Sequence, residues 1–193
     1  MGYLLVWKIY VSGALALLFI PAVILRPSLR NVLLALTGFF YCAADILINP
    51  VPFLGILLFG VGHLVLLINM MLRYRFILKK FWIFLGISIA FLIAAYFISA
   101  SVEKVAPFVI PGVIYGLILL AAVLKSSSDS KLLFFAMLVF LASDILLVFN
   151  FTMNTSLFLK ITGLVVYYIS VAMIVLSILF GPEKDHPLLR KGA

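Results

Sequence analysis

Seven runs of about 20 mostly apolar residues, the length that carries a helix across a bilayer, follow one another almost without a break. They cover residues 3–25, 31–49, 52–72, 80–99, 107–124, 132–150 and 156–180. Polar punctuation separates them: Arg26-Pro27-Ser28, Asn49-Pro50-Val51-Pro52, the basic stretch from Arg73 to Lys80, and the serine-rich Lys125 to Lys131. Of the 193 residues, 67% are apolar and only 10% charged, where soluble domains are roughly half apolar and about a quarter charged. A water-exposed globule of this size has too much outer surface to hide that composition. Soluble enzymes, disordered proteins and nucleic-acid modules are therefore excluded. The expected fold is all-α: a polytopic membrane bundle of about seven transmembrane helices. A single transmembrane domain over 1–180 would be followed by a cytoplasmic tail, 181–193.

The first run has no basic leader, carries Lys8 inside it and is long for a signal peptide, so it reads as a retained helix. The net charge of +8 follows from topology and needs no nucleic-acid partner. With seven spans, eleven of the fourteen lysines and arginines gather on one side, leaving Lys8, Lys104 and Lys160 for the other. The positive-inside bias then puts the N-terminus outside and the C-terminus in the cytoplasm. One cysteine, Cys42, and two histidines, His63 and His186, rule out an internal disulfide and a zinc-site pattern. No metal or cofactor is expected.

Two segments resemble each other. Residues 41–48 read Tyr-Cys-Ala-Ala-Asp-Ile-Leu-Ile and residues 140–147 read Phe-Leu-Ala-Ser-Asp-Ile-Leu-Leu. They fall on spans two and six, which run in the same direction. A parallel repeat follows as an expectation, with spans 1–3 and 5–7 as triplets joined by span four (3+1+3). Chance likeness between leucine-rich helices is the plain alternative.

Charges inside a bilayer cost about 2.5–3.5 kcal/mol on insertion scales, so those retained face the bundle interior and usually serve function. Asp45 and Asp144 come at similar depth near the outer ends of spans two and six. Lys8 and Lys160 come at similar depth on spans one and seven. Two carboxylates and two ammonium groups are thus expected in one layer. They are either a catalytic constellation or two ion bridges, one to each lysine. His63 lies near mid-membrane as a ligand, a proton relay or a simple helix–helix hydrogen bond. Tyr41 shares a helical face with Asp45, and Cys42 reads as a small packing residue. Tyr167 shares a face with Lys160, Gly163, Ser170 and Ser177, and Tyr168 adjoins it. Ser143 either bonds back to its own helix or orients the Asp144 layer. Asn49 and Asn150 are expected to cap spans two and six. No G-x-S-x-G, H-E-x-x-H or P-loop is present.

At these residues the chain resembles the YhhN-like lysoplasmalogenase family of integral membrane proteins. The resemblance rests on Lys8, Asp45, His63, Phe140 with Ser143-Asp144, and Tyr167-Tyr168, and runs from Lys8 to about Ile178. The chain departs from the pattern at Ile9, where proline usually follows the lysine, and at Ala44, where glycine usually precedes the acid. It also shows seven spans where the family is usually given eight.

The resemblance implies hydrolysis of the vinyl ether bond of a lysophospholipid, releasing a fatty aldehyde and a glycerophospho-base. Asp45 and Asp144 would be catalytic. Lys8, Tyr41, His63, Ser143, Lys160, Tyr167 and Tyr168 would bind or support. The chemistry needs a protonated acid to deliver a proton to carbon and a second group to stabilise the oxocarbenium ion and orient water. The less well-paired aspartate is the expected acid. Two other readings stay open: a small-solute or proton-coupled transporter on the 3+1+3 plan, and a lipid-binding or structural protein whose acids only tie helices together.

Overall fold

The computed structural model describes residues 2–74, 78–101, 107–153 and 156–181. The expected cytoplasmic tail beyond Gly181 lies outside them. Seven helices account for the described chain: α1 Gly2–Leu25, α2 Leu29–Leu47, α3 Pro52–Arg73, α4 Leu78–Ser101, α5 Val109–Ser126, α6 Lys131–Thr152 and α7 Leu157–Phe180. Each is long and apolar enough to cross a membrane, so this is a multi-pass integral membrane protein. Large apolar side chains such as Trp7, Leu17, Ile24, Trp82, Phe97 and Phe158 point outward. In a bilayer that surface meets lipid, and the backbone is satisfied within each helix.

Local sequence sets the helix ends. Ser28, Ser130 and Ser156 are N-caps whose side chains accept from the backbone N–H of Asn31, Leu133 and Leu159, satisfying donors that a helix start leaves free. Pro52 opens α3, where its missing N–H costs nothing. The expected cap at Asn150 is corrected: α6 continues to Thr152 and ends at Met153, because Phe151 and Thr152 prolong the helix. Asn49 sits in the exposed turn after α2, whose C-cap is Ile48.

The helices pack as a closed ring in the order α1, α2, α3, α5, α6, α7 and back to α1, with α2 also touching α7. The order of contacts α1–α2–α3–α5 recurs as α5–α6–α7–α1. Helix α4 stands outside the ring against α5, with Phe91 seated at Gly116.

The α2–α3 turn is tight. A Cβ on Gly55 would lie 2.5 Å from the Ile48 Cα, a backbone atom that cannot swing aside. Gly55→Ala should therefore push the two helices apart and cost about 1–3 kcal/mol, the usual range for overpacking. Thermal unfolding in detergent reads it; an unchanged midpoint would mean the turn opens freely.

One end of the ring is clasped by charge. Arg30 at the start of α2 reaches Asp129 just before α6, Nη2 to Oδ2 at 2.6 Å. Arg73 at the end of α3 brings Nη1 to within 2.6 Å of Asp129 Oδ1. The Tyr74 hydroxyl donates to the same carboxylate at 3.2 Å. Arg30 also donates to the Ser177 carbonyl of α7, and the Asn69 side chain donates to the Arg30 carbonyl. The contact shows that α2 and α6 start at the same end and run in parallel.

Candidate active site

Asp45 and Asp144 each lie fifteen residues beyond a clasp residue, Arg30 and Asp129 respectively. At 1.5 Å of rise per residue, both acids stand roughly 22 Å above the clasp. One turn below each is an aromatic ring, Tyr41 under Asp45 and Phe140 under Asp144. Their centroids are 4.7 Å apart. The rings one turn below the two acids thus meet across the bundle as a shared floor, to which α3, α5 and α7 add Phe59, His63, Tyr115 and Tyr167. His63 lies 4.7 Å from Tyr41, 5.0 Å from Phe140 and 5.4 Å from Tyr115, centroid to centroid. Tyr167 lies 5.5 Å from Phe140.

The acids have different surroundings. Asp45 is buried and charge-paired: Lys8 Nζ donates to Oδ1 at 2.8 Å. Ser12 donates to Oδ2 at 2.7 Å, and Tyr168 donates to the same oxygen at 3.0 Å. A buried ion pair is tolerable only when its remaining hydrogen-bonding capacity is met, and three donors on Asp45 meet it. Asp144 is partly buried and accepts a hydrogen bond from the Tyr115 hydroxyl on α5. Among the described residues no cation comes within ion-pair distance of it.

The expectation of a second lysine bridge is therefore corrected. Lys160 is exposed, because the first turn of α7 projects from the packed ring, as the exposure of Leu157 and Phe158 also shows. The other supporting residues gather at the site, with distinct tasks. Tyr167 donates to the Tyr41 carbonyl at 2.7 Å, fixing α7 against α2. Ser143 donates to the Gly163 carbonyl at 3.1 Å, fixing α6 against α7 and not its own helix. Cys42 is buried packing. His63 holds the Phe59 carbonyl through Nδ1 at 2.8 Å, a bond within its own helix.

Two participants escape a sequence reading: Ser12 and Tyr115. Ser12 had a signal, since it follows Lys8 by four residues and so shares its face. Tyr115 had none until α5 was known to neighbour α6. Among the described residues, no three His, Cys, Asp or Glu side chains converge as a metal set would require.

This arrangement lies inside a segment, residues 4–178, that matches the YhhN family model. The chain belongs to the YhhN family. Membership is consistent with a membrane hydrolase. No curated protein matches the chain, and no solved structure does. In this YhhN protein every residue that carried the initial resemblance, from Lys8 to Tyr168, falls within the matched segment. All of them lie on the ring helices, and Lys8 and Tyr168 bind Asp45 directly.

Proposed function

We propose that the protein hydrolyses the vinyl ether bond of lysoplasmalogens, with Asp144 as the acid. The observation that carries this reading is the inequality of two acids at one height. Asp45 is ion-paired with Lys8, whereas Asp144 has a phenol for a partner and no described cation. A carboxyl without a countercharge in a low-dielectric site is the one suited to carry a proton. Vinyl ether cleavage begins when such a proton is added to the alkene carbon remote from oxygen, giving an oxocarbenium ion. Tyr115 orients the carboxyl through Oδ2 and leaves Oδ1 for the transfer. Asp45 supplies fixed negative charge to the developing cation. The single chain of a lysophospholipid enters from the bilayer between helices, and its headgroup stays at the membrane surface nearer the acids. That surface is the external one if the basic clasp end faces the cytoplasm.

The test is chemical. Purified protein in detergent should release aldehyde from a 1-alkenyl lysophospholipid. It should leave the 1-alkyl counterpart intact, because a saturated ether has no carbon to protonate. Cleavage of both, or of neither, would reject the mechanism. The transporter reading keeps one supporting observation, the recurring contact order around the ring. Saturable uptake into proteoliposomes without aldehyde release would be its result.

A further inference from the structure

Two polar atoms in the aromatic floor are buried and have no hydrogen-bond partner: the Tyr41 hydroxyl and His63 Nε2. Both side chains are 0% exposed. Buried polar groups are nearly always satisfied, by protein or by ordered water, and leaving one unpaired is costly. Here two orphans occur on rings in contact. Their hydrogen-bonding roles complement each other. A carbonyl only accepts, so His63 Nδ1 carries the ring proton that binds Phe59, and Nε2 is left as a bare lone pair. Tyr41 Oη can donate. A water placed between them donates a hydrogen bond to Nε2 and accepts one from Oη.

The backbone is cut to fit this pair. A Cβ at Gly62 would lie 2.7 Å from the Tyr41 ring, so only glycine beside His63 lets that ring lie against α3. Phe140, one turn before Asp144, lies 4.7 Å from the Tyr41 ring, and Tyr115, the partner of Asp144, lies edge-on to His63. Asp45 is a poor competitor for the base role, since its two oxygens already receive Lys8, Ser12 and Tyr168.

Resting on the hydrolase reading above, we propose that the hydrolytic water binds between Tyr41 Oη and His63 Nε2, and that His63 is the general base. Asp144 gives its proton to the alkene carbon. Water then attacks the oxocarbenium carbon, forming a C–O bond, and its proton passes to Nε2. The product is a hemiacetal. Its hydroxyl proton returns to the Asp144 carboxylate as the bond to the glycerol oxygen breaks, and that oxygen takes the proton from His63. One water is consumed, aldehyde and alcohol leave, and both residues recover their starting forms.

The experiment uses the full chain with a 1-alkenyl lysophospholipid. His63→Gly should lose on the order of 100-fold or more in aldehyde release, the usual share of a general base. Added imidazole should restore part of it. Pyrazole, of the same size but a much weaker base, should not. Equal rescue by both, or a His63→Phe variant within a few-fold of wild type, would overturn the base role and leave His63 as packing. A second measurement is independent of turnover and of how the variants fold. A wild-type density map that resolves ordered water should show one within hydrogen-bond distance of both atoms, and a dry gap overturns the site. A chain that shows the water but releases no aldehyde fails the hydrolase reading, and the base role with it, while the water site stands.

Discussion

Asp144→Asn should lower aldehyde release by about 100- to 10,000-fold, the span attributed to a positioned proton donor, while the protein keeps its helices and its thermal midpoint. Asparagine retains the shape of the side chain, and its amide oxygen still accepts from Tyr115. What it loses is the proton that carbon must receive. Asp144 has no described ion-pair partner to strand, so the substitution leaves no buried charge unmatched. Asp45→Asn differs in kind. It leaves Lys8, 8% exposed, without its countercharge, and breaking one side of a buried pair costs about 3–5 kcal/mol. Activity and stability should therefore fall together at Asp45 and separate at Asp144. Activity and melting, measured side by side on the two variants, check this. An Asp144→Asn protein within a few-fold of wild type would assign the proton elsewhere.

The parts of this arrangement that sequence could reveal are those fixed by a single helix. Hydropathy is a property of each segment, so seven helices were legible, and so was the polar punctuation between them. Lys8 and Asp45 could be brought to one depth because rise per residue is constant. Rotation and neighbour order are not properties of one segment. Lys160 shares a face with Gly163 and Tyr167 in sequence, yet it leaves the interior because the ring does not pack as far as the first turn of α7. Tyr115 lies on a helix that reads as uniformly apolar, and its pairing with Asp144 exists only because α5 lies beside α6. Ser143 likewise finds its acceptor across a helix boundary. The clasp was hidden by a sound rule: counting basic residues in loops assigns orientation, but it treats Arg30, Arg73 and Asp129 as solvated when their charged side chains are turned inward.

That clasp carries the largest effect expected on stability. Asp129→Asn should destabilise the protein by about 3–5 kcal/mol, because Arg30 and Arg73 would then face each other across a neutral amide. The penalty should depend on pH in a defined direction. Burial alone pushes the Asp129 carboxyl up, but the hydrogen bond and charge of Arg30 and the charge of Arg73 pull harder, and it lies below its ordinary 3.8. The folded state therefore binds fewer protons than the unfolded one in the range below 3.8. Linkage makes the stabilisation complete above that value and progressively lost as pH falls towards the folded pKa. Wild type and Asp129→Asn should differ most at neutral pH and converge in acid. Denaturation midpoints in detergent, taken from pH 7 down to pH 3, measure the convergence. A constant gap across that range would mean that the arginines are held by Asn31, the Asn69 carbonyl and the Ser177 carbonyl, with Asp129 contributing shape and not charge. Because the clasp sets the parallel start of α2 and α6, a variant that survives folding but lets those helices slip should also lose turnover, although Asp129 lies roughly 22 Å from the reacting groups. Loss of activity at neutral pH in a folded Asp129→Asn protein would then report the register of the two acids directly.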